Sequence, residues 1–217
     1  MLSTRYVIYY VFVFAIAVYS LTLFQRLSKG LKLVSCLLYC TVIAEALGKY
    51  FGVRYNSSLP FHILSLLQIV IYGSIYYYYL KTSRASGLLV TVTSSLAFIL
   101  ALYISTTANF TSFPSTNIII VSIMTILFAL LHFYQMVRNV SEVSLYTLPT
   151  FWFNTGNLIF YCTTFSFFGL LNPMLIAGQQ PDDWQFIMIW GCNLFLYCTY
   201  FTALKNYKTE RNATQQT

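Results

Sequence analysis

The chain reads as an all-α polytopic membrane protein, a bundle of seven transmembrane helices with its N-terminus outside and its C-terminus in the cytosol. Three observations predict this. Of the 217 residues, 58% are hydrophobic and only 8% charged, with a mean hydropathy of +0.68, where an ordinary soluble domain carries about 25% charged residues. Seven apolar stretches have roughly the 20-residue length that carries a helix across a hydrocarbon core about 30 Å thick. The basic residues also segregate. Arg26, Lys29 and Lys32 follow the first stretch, Lys81 and Arg84 the third, Arg138 the fifth, and Lys205, Lys208 and Arg211 the seventh. Only Arg5, Lys49 and Arg54 lie on or near the other side. Positive residues collect on the cytosolic face, which sets the orientation. It also accounts for the net charge of +7 without a nucleic-acid partner.

Each stretch has its own signature. The first, Tyr6–Phe24, has a single cation before it and three close behind, the flanks of a retained anchor rather than a cleaved signal. The second, Leu33–Phe51, carries Thr41, Glu45 and Lys49 one helical turn apart. Their order, acid before base, is the favourable one for an ion pair along a helix. The third, Phe61–Leu80, aligns Ser65, Gln68, Tyr72 and Tyr76, with His62 at its outer edge. The fourth, Gly87–Ser105, is almost wholly apolar. Thr125, His132 and Met136 share a face of the fifth, Asn117–Val137, with Gln135 beside them. The sixth, Thr150–Leu171, begins after Pro149, whose missing N–H is harmless at a helix start, and it aligns Asn154, Asn157, Tyr161 and Thr164. The seventh, Trp184–Leu204, carries Trp190, Asn193, Tyr197 and Tyr200 along one stripe.

The intervening loops are too short for a soluble domain. Residues 1–206 therefore form one transmembrane domain and 207–217 a short cytosolic tail, in a multi-pass protein of the cell membrane, the inner membrane in a bacterium. All five prolines, Pro60, Pro114, Pro149, Pro173 and Pro181, are expected at span edges or in loops. Asn56, Asn109, Asn139 and Asn212 stand in glycosylation sequons that would matter only in a eukaryotic host. The five cysteines lack the spacing of a metal site or disulfide framework and read as packing residues. A Tyr-Cys-Thr triplet recurs at Tyr39, Tyr161 and Tyr197, but no single offset superimposes all the helices, so duplication is not assigned.

Polar side chains within the spans carry the functional reading, because an ionisable group at bilayer depth costs roughly 3 kcal/mol and must face protein or water. Glu45, Lys49, His62, Gln68 and Tyr72 all fall in the outer half and are expected to line one ligand-binding pocket. With Lys49 in it, and a histidine whose type ordinarily titrates near neutral pH, such a pocket suits an anionic or zwitterionic ligand. His132, Gln135, Asn154, Asn157, Tyr161 and Asn193 form a second, inner polar cluster, read either as interhelical hydrogen-bond glue or as part of a path. No catalytic residue, metal or cofactor is assigned. HExxH and GxSxG are missing, and so is a lysine in the middle of the seventh span for retinal.

The stretch from Phe61-His62 through Tyr76, Phe113-Pro114, Leu148-Pro149-Thr150-Phe151-Trp152 and Gly156-Asn157-Leu158-Ile159-Phe160-Tyr161 resembles a family of uncharacterised seven-helix membrane proteins of Bacteroidota. Genes of that family often lie beside sensor histidine kinases. The resemblance covers about two thirds of the chain, its most specific part being Pro-x-Phe-Trp followed by Gly-x-Leu-Ile-x-Tyr. An acidic residue is common there where this chain has Gln68. It implies a signalling context and supplies no mechanism.

The expected function is thus a sensory or regulatory membrane protein that binds a small-molecule ligand in the outer pocket and meets a cytosolic or membrane signalling partner through its inner loops. Two alternatives stay open, a small-solute transporter or channel, and a pore-forming or scaffolding subunit of an oligomer. The bilayer itself is the partner common to all three.

Overall fold

The computed structural model describes residues 4–55, 57–81, 84–107, 110, 112–138, 145–178 and 183–208. The sequon asparagines, Pro181, Arg211 and the rest of the tail from residue 209 lie outside the described residues, as does the side chain of Arg5. Seven α-helices make up the described chain, α1 (Thr4–Leu23), α2 (Lys29–Tyr55), α3 (Leu59–Leu80), α4 (Arg84–Thr107), α5 (Ser115–Arg138), α6 (Pro149–Ile176) and α7 (Asp183–Lys205). Short 3₁₀ turns stand at Phe24–Arg26 and Leu145–Thr147.

Among the described residues, six helices, α1 to α5 and α7, are long and apolar enough to cross a membrane. The first three turns of α6 hold the polar residues Asn154, Thr155 and Asn157. Its far end departs from expectation. It runs past Leu171 to Ile176 with Pro173 inside it, and the Ala177 amide still donates to the Pro173 carbonyl at 3.0 Å. A proline forfeits one hydrogen bond and crowds the carbonyl a turn earlier. In the last turn this is tolerated, because few helical bonds remain beyond it.

Which side of each helix is buried follows membrane rather than aqueous rules. On α1 the inward stripe is Tyr9, Val13, Ile16, Ala17 and Ser20, whereas Val11, Phe14 and Leu21 stand outward at about 60% exposure. On α4 the inward positions are the small residues Gly87, Ala97, Ala101 and Ser105, and Leu88, Leu96 and Ile99 face out. On these two helices large apolar residues stand outward, while across the bundle Ser20, His62, Ser105, Asn117 and Asn154 point in. A water-soluble bundle would do the reverse, so the apolar outer shell is a surface for lipid.

The helices follow one another around a ring that α7 closes by packing on α1 and α2. α3 leans inward and touches α2, α4 and α5, while α6 fills the place between α5 and α7. The starts of odd-numbered helices and the ends of even-numbered ones share one end of the bundle, here the N-terminal end. The other, C-terminal end carries Arg26, Lys29, Lys32, Lys81, Arg84, Arg138, Lys205 and Lys208.

Close approach of helices depends on glycine at two points. A Cβ at Gly48 of α2 would overlap the Phe61 ring of α3. One at Gly156 of α6 would overlap the Thr199 hydroxyl of α7 and sit 3.0 Å from the Thr199 Cβ. Small residues let backbones close in this way where lipid supplies no hydrophobic drive between helices. Gly156→Ala is therefore expected to lower stability by about 1–3 kcal/mol, the usual range for overpacking. Gly52→Ala, which meets no atom within 4 Å, should not destabilise. Thermal unfolding of the two variants in the same detergent checks the contrast.

Candidate functional site

A cavity of about 470 Å³ opens among six elements in the N-terminal half of the bundle, a volume within the usual range for small-ligand sites. It exists because the residues that face inward at this level alternate long tyrosines with short polar side chains. Thr41 of α2, Ser65 of α3 and Thr164 of α6 line it, and none is long enough to reach across the ring.

Among the described residues the cavity wall holds one carboxylate. Glu45 of α2 accepts hydrogen bonds from two tyrosines of α1, Tyr9 Oη to Oε1 at 3.3 Å and Tyr10 Oη to Oε2 at 3.5 Å. Tyr9 in turn lies 3.5 Å from the Tyr197 hydroxyl of α7. The arrangement draws α1, α2 and α7 together where the ring closes. Gln68 and Tyr72 also line the cavity, as expected of them, and Tyr161 and Asn193, assigned above to the inner cluster, line it as well.

Lys49 and His62 lie elsewhere. Lys49 is exposed, does not line the cavity, and makes no ion pair with Glu45. Among the described residues the carboxylate has only its two tyrosine donors. At that height α2 is close to its end, and a long lysine reaches the aqueous interface more readily than it pairs within the membrane. His62 is 1% exposed and belongs to a corner between α3, α4 and α5. Its Nε2–H donates to the Ser112 carbonyl at 2.9 Å, while Nδ1 lies 2.9 Å from Ser105 Oγ. Asn117 Nδ2 donates to Ser105 Oγ at 2.7 Å and to Ser65 Oγ at 3.2 Å. His62 thereby ties the connection between α4 and α5 across the top of the cavity. The next residue of that connection, Phe113, lines the cavity and stacks on Phe168 of α6 with ring centroids 5.8 Å apart.

The floor is a packed aromatic layer bound by a directed chain of hydrogen bonds. Tyr200 Oη donates to Asn157 Oδ1 at 2.6 Å, so the 2.9 Å contact between Tyr72 and Tyr200 takes its proton from Tyr72. Asn157 Nδ2 donates to Tyr76 Oη at 3.3 Å, and Tyr76 Oη donates to Asn154 Oδ1 at 2.9 Å. Asn154 Nδ2 completes the run on the Ala129 carbonyl of α5, also at 2.9 Å. The Tyr200 and Tyr76 hydroxyls each give one bond and accept one, and both asparagine amides use oxygen and nitrogen alike. The chain links α3, α7, α6 and α5 in turn. Phe153 stacks on Tyr200 at 5.4 Å within the same layer.

Below the chain the remaining inner residues separate. His132 lies against the rings of Tyr76 and Tyr79 at 6.3 and 5.5 Å, and its Nδ1 has no hydrogen-bond partner. Gln135 donates to Ser86 Oγ of α4 at 3.2 Å. Neither reaches the cavity. Conversely, Tyr9 and Tyr10 belong to the site and were not selected from sequence, while Thr164, Tyr197 and Tyr200, aligned in the polar stripes of their spans, were not assigned to the outer pocket. Their signal was present for α7, where Tyr197 and Tyr200 share a stripe with Asn193. It was weak for α1, where tyrosines stand on several faces.

The cavity's chemical inventory is simple. The described groups that meet in it are hydroxyls, amides, aromatic rings and one carboxylate. Because His62 acts as a tie outside the cavity, His62→Ala should lower the unfolding temperature in detergent, with about 1–3 kcal/mol lost for each buried partner left unpaired, and should leave the cavity's lining groups in place. Compared with protein-family models, curated proteins and solved structures, the chain matches none.

Proposed function

We propose that the protein is a seven-span membrane receptor or regulatory subunit, with the N-terminus outside, the C-terminus in the cytosol and the cavity in the outer half of the bilayer. A small molecule occupying the cavity would be sensed by the floor and passed to a cytosolic or membrane partner at the cation-rich end. The distribution of Lys and Arg supports the orientation. Signalling context is the reading that the family resemblance favours, with a membrane sensor kinase as the partner class.

One observation carries the receptor reading, namely the chain that begins at Tyr72 in the cavity and ends on the α5 backbone at Ala129. A ligand that takes a hydrogen bond from Tyr72 competes with Tyr200 for the same proton, and every later bond of the chain then has a reason to rearrange. Differential interaction with two arrangements of packed helices is what a receptor requires. A transporter or channel is less well supported, since Tyr72, Tyr76, Phe153, Tyr161 and Tyr200 close the floor at no more than 2% exposure.

Orientation is checked by single cysteines in a cysteine-free background. One at Ser57 should react with an impermeant thiol reagent on intact cells, and one at Ser28 should not. Reversed labelling would invert the assignment of outside and inside. The receptor reading is checked by a thermal-shift screen of organic cations, organic anions and neutral polyols against the protein in nanodiscs. We expect a stabilising compound whose effect disappears when Thr164→Phe fills the cavity, and no uptake of that compound into proteoliposomes. Uptake, or stabilisation indifferent to the filled cavity, would overturn the reading.

A further inference from the structure

The cavity's chemistry is lopsided in charge. Among the described residues Glu45 is the only acidic side chain in its lining, and no described lysine or arginine lines it. Most lysines and arginines of the chain lie at the opposite end of the bundle. Two phenol donors hold the carboxylate in place from one side without neutralising it. Aromatic rings from α1, α3, α6, α7 and the α4–α5 connection line the same cavity. Tyr72 and Tyr161 meet edge to face at 5.4 Å, Tyr9 and Tyr197 at 5.8 Å, and Phe113 stacks on Phe168.

Two further polar groups, Thr164 and Gln68, lie in the lining. Among the described residues no partner meets the Oγ1 of Thr164, which is only 3% exposed, and no hydrogen bond to a described residue holds Gln68, half-buried on the facing helix α3. A buried polar atom left unpaired in a low-dielectric interior is costly. Both groups lie where a bound molecule would pair them.

Resting on the receptor reading above, we propose that the cavity binds an organic cation, an ammonium group on an apolar or aromatic body, with Glu45 as its counter-ion. Aromatic faces attract such a group through their quadrupole, and quaternary ammonium ions are held in this way by rings that could not solvate an anion. A carboxylate within the membrane gains most from a partner that is itself poorly hydrated, since a weakly hydrated cation gives up little on leaving water. The cavity's volume accommodates an aryl ammonium with room for a polar substituent at Thr164 and Gln68. This reverses the anionic or zwitterionic ligand expected when Lys49 was placed in the pocket.

The test uses three probes of nearly one shape on the full chain in nanodiscs: benzyltrimethylammonium, its neutral isostere neopentylbenzene, and phenylacetate as the anion. Wild-type protein should bind the cation more tightly than the isostere by roughly tenfold or more, the scale of a desolvated cation–π and charge contact, and should bind phenylacetate least. Glu45→Gln should erase the preference while leaving neopentylbenzene affinity unchanged. Arg5→Gln, which removes the one cation of α1, should leave the preference as it is. Equal binding of cation and isostere by wild type overturns the proposal and needs no variant, so a folding defect in Glu45→Gln cannot rescue it. A preference that persists in Glu45→Gln, or that emerges only in Arg5→Gln, overturns it too. If phenylacetate binds best and Thr164→Phe abolishes that binding, the ligand class is wrong and the receptor reading stands. If no probe of the wider screen responds to Thr164→Phe, the receptor reading itself falls.

Discussion

Everything in this bundle depends on the rule that a polar group inside a bilayer must find its partner within the protein. No water stands by to replace a missing bond, so an orphaned hydroxyl or amide costs several kcal/mol. The chain from Tyr72 through Tyr200, Asn157, Tyr76 and Asn154 to the Ala129 carbonyl is the fullest expression of that rule here. It commits four helices to one rotation and one depth. Turning α6 by even one residue would take both asparagines off their partners at once. Apolar packing alone could not impose this, because leucine packs about as well against lipid as against another helix.

The same rule explains why the cavity sits where it does. Tyrosines of α3, α6 and α7 are drawn down into the floor layer by their hydroxyl partners and pack there against Phe153. Above them the inward positions fall to threonine, serine and glutamine, which cannot bridge the ring. The top is held by a separate unit, in which His62 joins the α4–α5 connection to α3 through Ser105, Ser112 and Asn117. Between a rigid floor and a tied cover, space and unpaired polar atoms remain together. Glu45 is kept there by phenols alone, which fixes its position and leaves its charge unanswered among the described residues.

Sequence periodicity was most informative where one helix face carried all the signal. The α6 stripe of Asn154, Asn157, Tyr161 and Thr164 was legible, and so was the α3 stripe of Ser65, Gln68, Tyr72 and Tyr76, because residues three and four apart must share a face whatever the neighbours are. Depth was legible only coarsely. Tyr161 and Asn193 were grouped with the inner residues and line the cavity instead. Pairing was less legible still. Glu45 and Lys49 stand one turn apart, yet the carboxylate meets Tyr9 and Tyr10 of a different helix, since the lysine near the end of α2 has water within reach and the glutamate does not.

The amino-acid sequence by itself determined the class of the molecule, the approximate places of its helices and the asymmetry of its charge. Those properties are local sums, namely the length of an apolar run and the sign of the residues that follow it, and they hold before any helix meets another. Only the tertiary structure decided which polar stripes face one another. It turned His62 from a pocket residue into a tie, gave Tyr9 and Tyr10 to Glu45, and set Tyr72 at the head of a chain that ends on α5. Such choices rest on the rotation and height of each helix relative to its neighbours. Those are fixed jointly by all the buried hydrogen bonds of the ring, and by no single segment of the chain.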